Sequence, residues 1–329
     1  MGVSIPDFGA AHWRELPENP LISYSDDPNE AIGDPQVLLP GEHDELWHMF
    51  FHGYLGHQSG CYDAFFHYTS PDGVRWGRVN LWERWGVGQN SMFRHGDRWV
   101  MYFTHHSPEI RARGFNSVVS AKTTRDFVHW SDEIELIAPE TPLEREGRNL
   151  ESRNPCMVRL PNGRYRLYYS AGTVYLEDCG YCEPKYIFCA ESDSPLGPFE
   201  RIGGPLIAPE AALPFRNHGA GAIKVYGWGD GYLAFYNPIY IDAHGASRSE
   251  IRLLASDDGL AWTEAPCNPV IVPAGDGWRS AIVYQLDAVC WGGQIRMYFN
   301  ARDAWRGGVE RIGCCVMDLP GGQRLRKLM

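Results

Sequence analysis

The stretch LPNGRYRLYYSAG, residues 160–172, decides how the whole chain is read. Its Asn-Gly pair is hairpin-turn chemistry, because both residues accept the positive φ that a tight turn needs. The aromatic-rich run that follows has the side-chain pattern of a strand. It is one of five such runs, with ELWHMFFHGY (45–54), RWVMYFTHH (98–106), GYLAFYNPI (231–239) and QIRMYFNARD (294–303). Taking Phe50, Phe103, Tyr169, Phe235 and Phe299 as reference points, the spacings are 53, 66, 66 and 64 residues.

Each run follows another strand-like segment across a short turn. These are DPQVLL (34–39), NSMFRH (90–95), NPCMVRL (154–160), HGAGAIKV (218–225) and IVYQLDAVC (282–290). Four of the five are followed by a third strand whose polar turn closes on an aromatic, as in YTSPDGVRW (68–76) and ASDDGLAW (255–262). Strand triplets recurring at about 55–65 residues are the mark of a β-propeller with radial blades. A β-sandwich would have to repeat the same register five times by coincidence. The expected architecture is therefore all-β, a five-bladed β-propeller forming a single domain over residues 1–329. Its inner strands start near residues 34, 90, 154, 218 and 281, and the N-terminal segment supplies a missing outer strand.

Composition agrees. The 329 residues include 36 Gly, 23 Pro and 43 aromatics, 12 of them Trp. Gly and Pro together make up about 18%, against a typical ~12%, which suits many short strands and turns better than long helices. A formal charge of −11 argues against a nucleic-acid partner. Of the 30 basic residues, 26 are Arg. The N-terminal MGVSIPDFGAAHWRELPENP lacks a basic start followed by an apolar run, and no stretch has the length of a membrane span. Nine cysteines, several inside strand-like runs (Cys156, Cys189, Cys290, Cys314, Cys315), and a single CxxC at Cys179 and Cys182 fit a reducing, cytoplasmic setting.

In a propeller, the starts of the inner strands face one mouth of the central channel. Here they read Gly33-Asp34-Pro35, Gln89-Asn90-Ser91, Arg153-Asn154-Pro155, Asn217-His218-Gly219 and Arg279-Ser280-Ala281. A carboxylate, amides, a histidine and two arginines converging in one concave place make a ligand site.

With Asp34 in a Gly-Asp-Pro and Asn154 in an Arg-Asn-Pro, the chain resembles the five-bladed glycoside hydrolase superfamily that includes families 32, 43, 62, 117 and 130. The resemblance implies Asp34 as general base or nucleophile at an anomeric carbon; an Asp-Pro turn is the other use of that dipeptide. Many relatives carry an aspartate where this chain has Asn154. Glu151 either restores that carboxylate or forms an ion pair with Arg153. Where relatives offer a glutamate acid, this chain reads Arg216-Asn217-His218, which resembles the histidine acid of family 117. Trp278 either stacks on a sugar or lies between blades, and Arg279 can fork to hydroxyls. Arg302 and Asp303 contact substrate or pair with each other.

The implied activity is that of a cytoplasmic glycosidase on a short oligosaccharide or glycoconjugate, exo-acting and inverting, with Asp34 as base and His218 as acid. Asn90, Arg153, Asn154 and Arg279 position hydroxyls. A phosphorylase and a non-catalytic sugar-binding propeller are the alternatives. No cofactor is required, although a divalent cation in the central channel near His106 or His218 would match some relatives. His52, His57, His105 and His244 also fall near strand ends.

Overall fold

The computed structural model describes residues 5–28, 30–56, 62–319 and 324–329; His57 lies outside them. The chain is almost entirely strand and turn. Among the described residues the one α-helix is α1 (Pro108–Ala112), started by Ser107, whose Oγ accepts from the Ile110 N–H at 3.2 Å, and by Pro108 at the first turn. No described helix is long and apolar enough to cross a membrane.

A two-residue strand, β1 (Arg14–Glu15), precedes the first meander, which comprises β2 (Ala31–Leu38), β3 (Trp47–Leu55), β4 (Tyr62–Ser70) and β5 (Gly77–Glu83). The second meander is β6 (Val87–His95), β7 (Arg98–His105), β8 (Val118–Thr124) and β9 (Ile134–Ile137). The third is β10 (Ser152–Arg159), β11 (Tyr165–Leu176), β12 (Tyr181–Ser192) and β13 (Glu200–Arg201). The fourth begins with β14 (Ile223–Trp228) and β15 (Gly231–Tyr236). It is then interrupted by a separate hairpin, β16 (Ile239–Ile241) and β17 (Ser247–Ser249), before β18 (Arg252–Ser256) and β19 (Thr263–Glu264) complete it. The fifth is β20 (Ile282–Trp291), β21 (Gln294–Arg302) and β22 (Glu310–Asp318), with β1 as its outer strand.

Among the described residues, five four-stranded sheets stand where five strand triplets were expected, and β1 pairs with β22 as the N-terminal segment was expected to do. The short outer strands, two residues in β13 and β19, are the part that period-two alternation could not reveal. One expected strand shrinks: β14 begins at Ile223, and the HGAGA run before it is only bridged, through Gly219 to Ile239.

The polar turns that close the sheets share one chemistry. Ser70 Oγ accepts from the Gly73 N–H at 2.9 Å, and Asp72 Oδ1 accepts from the N–H groups of Val74 and Arg75, both at 2.9 Å. Thr124 with Asp126, and Ser256 with Asp258, repeat the arrangement. Backbone donors that would otherwise go unpaired are thus satisfied within each turn.

The chain divides into two compact units. One comprises residues 1–88, 227–237 and 248–326, the other residues 89–226, 238–247 and 327–329, so the boundary runs through β14. In the first, Trp47, Phe51 and Phe66 share a core with Tyr298, Ile312 and Cys314. In the second, Phe93, Tyr102 and Val119 share one with Leu167, Tyr169 and Phe188. Each fully buried aromatic of this kind contributes about 1.5–3 kcal/mol by leaving water. The buried hydroxyls are satisfied in matching ways: Tyr298 Oη donates to Gly73 O and Tyr102 Oη to Pro195 O, both at 2.8 Å.

Candidate active site

Three inner strands carry the same bulge. On β2, Gly33 faces His52 and Gln36 faces Phe50, so Asp34 and Pro35 together oppose Phe51. On β10, Arg153 faces Ser170 and Cys156 faces Tyr168, which sets Asn154 and Pro155 against Tyr169. On β20, Val283 faces Ala301 and Leu286 faces Phe299, leaving Tyr284 and Gln285 against Asn300. Pro35 and Pro155 lack an N–H and so fit a position that the bulge leaves out of the ladder. Asp34 and Asn154 take φ of 56° and 54°, a left-handed conformation that Asp and Asn tolerate better than other side chains. In the fourth repeat the left-handed residue is Gly221, φ 68°.

This register revises two expectations. On the fifth sheet the residue equivalent to Asp34 is Tyr284, not one of Arg279, Ser280 or Ala281; without a proline, the sequence does not mark it. His218 is not equivalent to Asp34 either. It lies three residues before Gly221, as Glu151 lies three before Asn154.

In the first unit Asp34 is tightly held. Its backbone N–H donates to Asn300 Oδ1 at 3.0 Å, and its Oδ2 lies 3.3 Å from His52 Nδ1, with the carboxylate side chain only 11% exposed. Asn300 Nδ2 donates to Glu310 Oε1, and Glu310 Oε2 accepts from Arg302 Nη2 at 2.9 Å. The amide of Asn300 is thereby fixed, its oxygen toward Asp34 and its nitrogen toward Glu310. Gly33 makes this approach possible, since a Cβ there would lie 2.7 Å from Asn300 Nδ2. The Arg302 guanidinium sits 6.0 Å from the centre of the Tyr284 ring. Arg302 therefore does not pair with Asp303, which instead accepts from the Val309 N–H at 2.8 Å and from Arg311 at 2.9 Å. Asp287, also buried, ties β20 to β2 by accepting from the Val37 N–H at 2.7 Å and from Gln36.

Trp278 and Arg279 are committed to the N-terminal strand of the same unit. Trp278 Nε1 donates to Glu15 Oε2 at 3.1 Å, Arg279 Nε pairs with Glu15 Oε1, and the Trp278 ring lies 5.4 Å from that of Phe299. These contacts are made to β1 and β21, two strands of the fifth sheet.

In the second unit, Arg153 lies 3.2 Å from Glu151 and 3.2 Å from Glu183, and also donates to Cys182 O at 3.1 Å. Glu151 is thus the ion-pair partner of Arg153, and its Oε1 accepts from Asn149 at 2.9 Å. Asn154 is held as Asp34 is, its N–H donating to Thr104 Oγ1 at 3.1 Å. Asn90 is buried, with its carbonyl accepting from Lys224 Nζ at 2.9 Å. His218 is half-buried. Its N–H donates to Ile239 O at 3.3 Å, and its Nε2 is shielded from solvent without a hydrogen-bond partner among the described residues.

The remaining histidines have local roles. His105 Nδ1 meets Ser120 Oγ at 3.3 Å, His106 Nδ1 meets Asn116 O at 3.2 Å, and the His244 N–H caps onto Asp242 at 2.8 Å. Among the described residues no group of three or more His, Cys, Asp or Glu side chains is arranged to hold a metal ion. His52, Asn300, Glu310, Glu183 and Tyr284 were not singled out as site residues by sequence. All five lie on second or third strands or on an unmarked bulge, and His52 was noted only as a histidine near a strand end.

No family model matches the chain, and no curated protein matches it either. Solved structures do. A glycosyl hydrolase from Bacteroides ovatus superposes with a TM-score of 0.67 at 14% identity, covering 100% of this chain and 99% of that one. A structure from the family 130 mannoside phosphorylases, a family described as containing glycoside hydrolases that target β-1,2-mannosidic linkages in Candida mannan, gives 0.64 at 14%, with coverage of 100% and 99%. A β-1,2-mannobiose phosphorylase from Listeria innocua, bound to β-1,2-mannobiose, gives 0.60 at 13%, with coverage of 93% and 96%. At such identities the likeness shows the fold, that of a β-propeller.

Proposed function

We propose that the protein cleaves glycosidic bonds in a short oligosaccharide or glycoconjugate, acting from a chain end with inversion, and that Asp34 activates the attacking water. The observation carrying this reading is the left-handed Asp34, held by Asn300 and His52. Residues kept in sparsely populated conformations by surrounding bonds cluster at functional sites. A carboxylate so held can take a proton from water as an oxocarbenium-like transition state forms. His218 is the assigned acid, a group able to protonate a leaving oxygen near neutral pH. The sugar chemistry named for the structural neighbours supports the same class.

The carboxylate that many glycosidases carry on the third sheet is replaced by Asn154, at the same bulge and in the same left-handed conformation. That favours, as a second reading, a propeller that binds sugar without turnover. A panel of aryl glycosides and oligosaccharides, assayed with and without phosphate and with the product anomer read by NMR, separates the possibilities. Hydrolysis with inversion supports the proposal. A requirement for phosphate points to a phosphorylase, and binding without turnover to the second reading.

A further inference from the structure

Two hairpins bracket the segment that carries His218; that segment, the β11–β12 hairpin and the β16–β17 hairpin as far as Ser247 belong to the second unit. The β11–β12 hairpin is unusually long. Beyond the Arg153–Ser170 pair it continues to Leu176 and Tyr181, whereas β3 stops at Leu55 after the Gly33–His52 pair and β21 at Arg302 after the Val283–Ala301 pair. At about 3.3 Å per residue the extension reaches roughly 20 Å past the bulge. The β16–β17 hairpin is an excursion between β15 and β18.

Segment 217–221 is gripped by backbone on both sides. The N–H groups of Ala220 and Gly221 donate to Lys185 O and Pro184 O of β12, at 3.0 and 3.2 Å. On the other side, His218 and Gly219 donate to Ile239 O at 3.3 and 2.9 Å. The Asn217 side chain completes the grip, accepting from the Ile241 N–H at 2.8 Å and donating to Ile241 O at 2.9 Å. Asp178, in the turn between β11 and β12, then joins the two hairpins. It takes both hydrogens of Ser247, N–H at 2.8 Å and Oγ–H at 2.6 Å, where Ser247 opens β17 and is 1% exposed. A carboxylate accepting two bonds from one buried residue is a strong tie.

We propose that Asp178 is a positioning and specificity-determining residue. By closing β11–β12 onto β16–β17 it holds the backbone that presents His218, and it shapes a wall that meets the leaving-group sugar. The first part stands on the backbone grip alone; the second rests on the proposed glycosidase activity. The hairpins carry the aromatic surface such a wall needs, in Tyr175, Tyr240 and the exposed Tyr181, with Arg148 3.6 Å from the centre of the Tyr175 ring. Aromatic rings of this kind combine an apolar face with a polar tip.

The test uses the full chain with Asp178→Ala, Asp178→Asn and Ser247→Ala, the last removing only one of the two bonds. Amide hydrogen exchange at Gly219, Ile239 and Ile241 is expected to quicken about tenfold or more in Asp178→Ala, with His218 ring resonances shifted, and to be intermediate in Ser247→Ala. Unchanged exchange and resonances in every variant would overturn the proposal whether or not any sugar is cleaved. Where wild type cleaves both, Asp178→Ala is expected to lose about tenfold in kcat/KM on oligosaccharides and little on nitrophenyl glycosides, whose leaving group needs no proton. Equal losses on both would overturn the link to His218. Loosened exchange with no turnover by wild type would sink the glycosidase reading and leave the tie in place.

Discussion

Asn300 Oδ1 accepts the backbone N–H of Asp34 at 3.0 Å across 266 residues of sequence, joining the last sheet to the first at the bulge where the proposed chemistry sits. The same amide is anchored from behind by Glu310. Asp34 is therefore aimed by a chain of side chains that runs back to Arg302.

Asn300→Ala breaks that chain. Turnover is expected to fall about 10–100-fold, as when a supporting partner of a reactive group is lost, and Glu310 loses one of its donors, costing about 1–3 kcal/mol of stability. Kinetics and a thermal melt on the same sample check both. Full activity would show that Asn300 does not aim Asp34.

Arg279→Ala and Trp278→Phe distinguish a structural role from sugar contact. Because both residues grip Glu15 on β1, the melting temperature is expected to drop with KM unchanged. A large rise in KM at constant stability would restore them to the substrate site.

Gly73→Ala tests the closing turn of the first sheet. The position has φ 74°, and a Cβ would lie 2.8 Å from Tyr298 Oη and 3.1 Å from Trp47. A loss of about 1–3 kcal/mol is expected from denaturant melts. At the equivalent turn of the second sheet the left-handed residue is Phe127, φ 56°. Phe127→Gly relieves the backbone but removes a ring packed against Trp99 and Trp130, so it is expected to destabilise as well. A stabilised Phe127→Gly would show that backbone strain outweighs the ring.

His67 gives a pH signature. Burial, and then the charges of His48 and His43, push it down to about 3, from an ordinary value of about 6.5. Between those limits the unfolded chain holds a proton that the folded chain does not. The contribution of neutral His67 is therefore full above about pH 6.5 and is lost as pH falls toward 3, at no more than about 1.4 kcal/mol per pH unit. His67→Phe, which keeps the stack on Phe50, is expected to flatten the decline between pH 6.5 and 4 in denaturant melts. An unchanged slope would assign the acid sensitivity elsewhere.

Strand pairs such as 154–160 with 164–172 were legible because large alternating side chains and Asn-Gly turns are local signals. Asp34 and Asn154 stood out as the residues before a proline at two strand starts, although the bulge itself was not foreseen. Tyr284 did not stand out, because Gln285 follows it and nothing local announces the slip. The fourth inner strand was expected from His218 but begins at Ile223, and Gly221 takes the left-handed position, because the small residues of HGAGA carry no alternation to fix the register. Asn300 and Glu310 escaped because their importance comes from a contact across the whole chain. The outer strands β13 and β19 are too short to alternate.

The most direct measurement is turnover by Asp34→Asn on the first substrate that wild type cleaves, with melting temperatures matched. Asn already occupies the equivalent left-handed bulge at 154, so the fold is expected to survive the change. Loss of about 10²–10⁴-fold in kcat is the result expected for removal of a general base. Activity within a few-fold of wild type would contradict the assignment of Asp34.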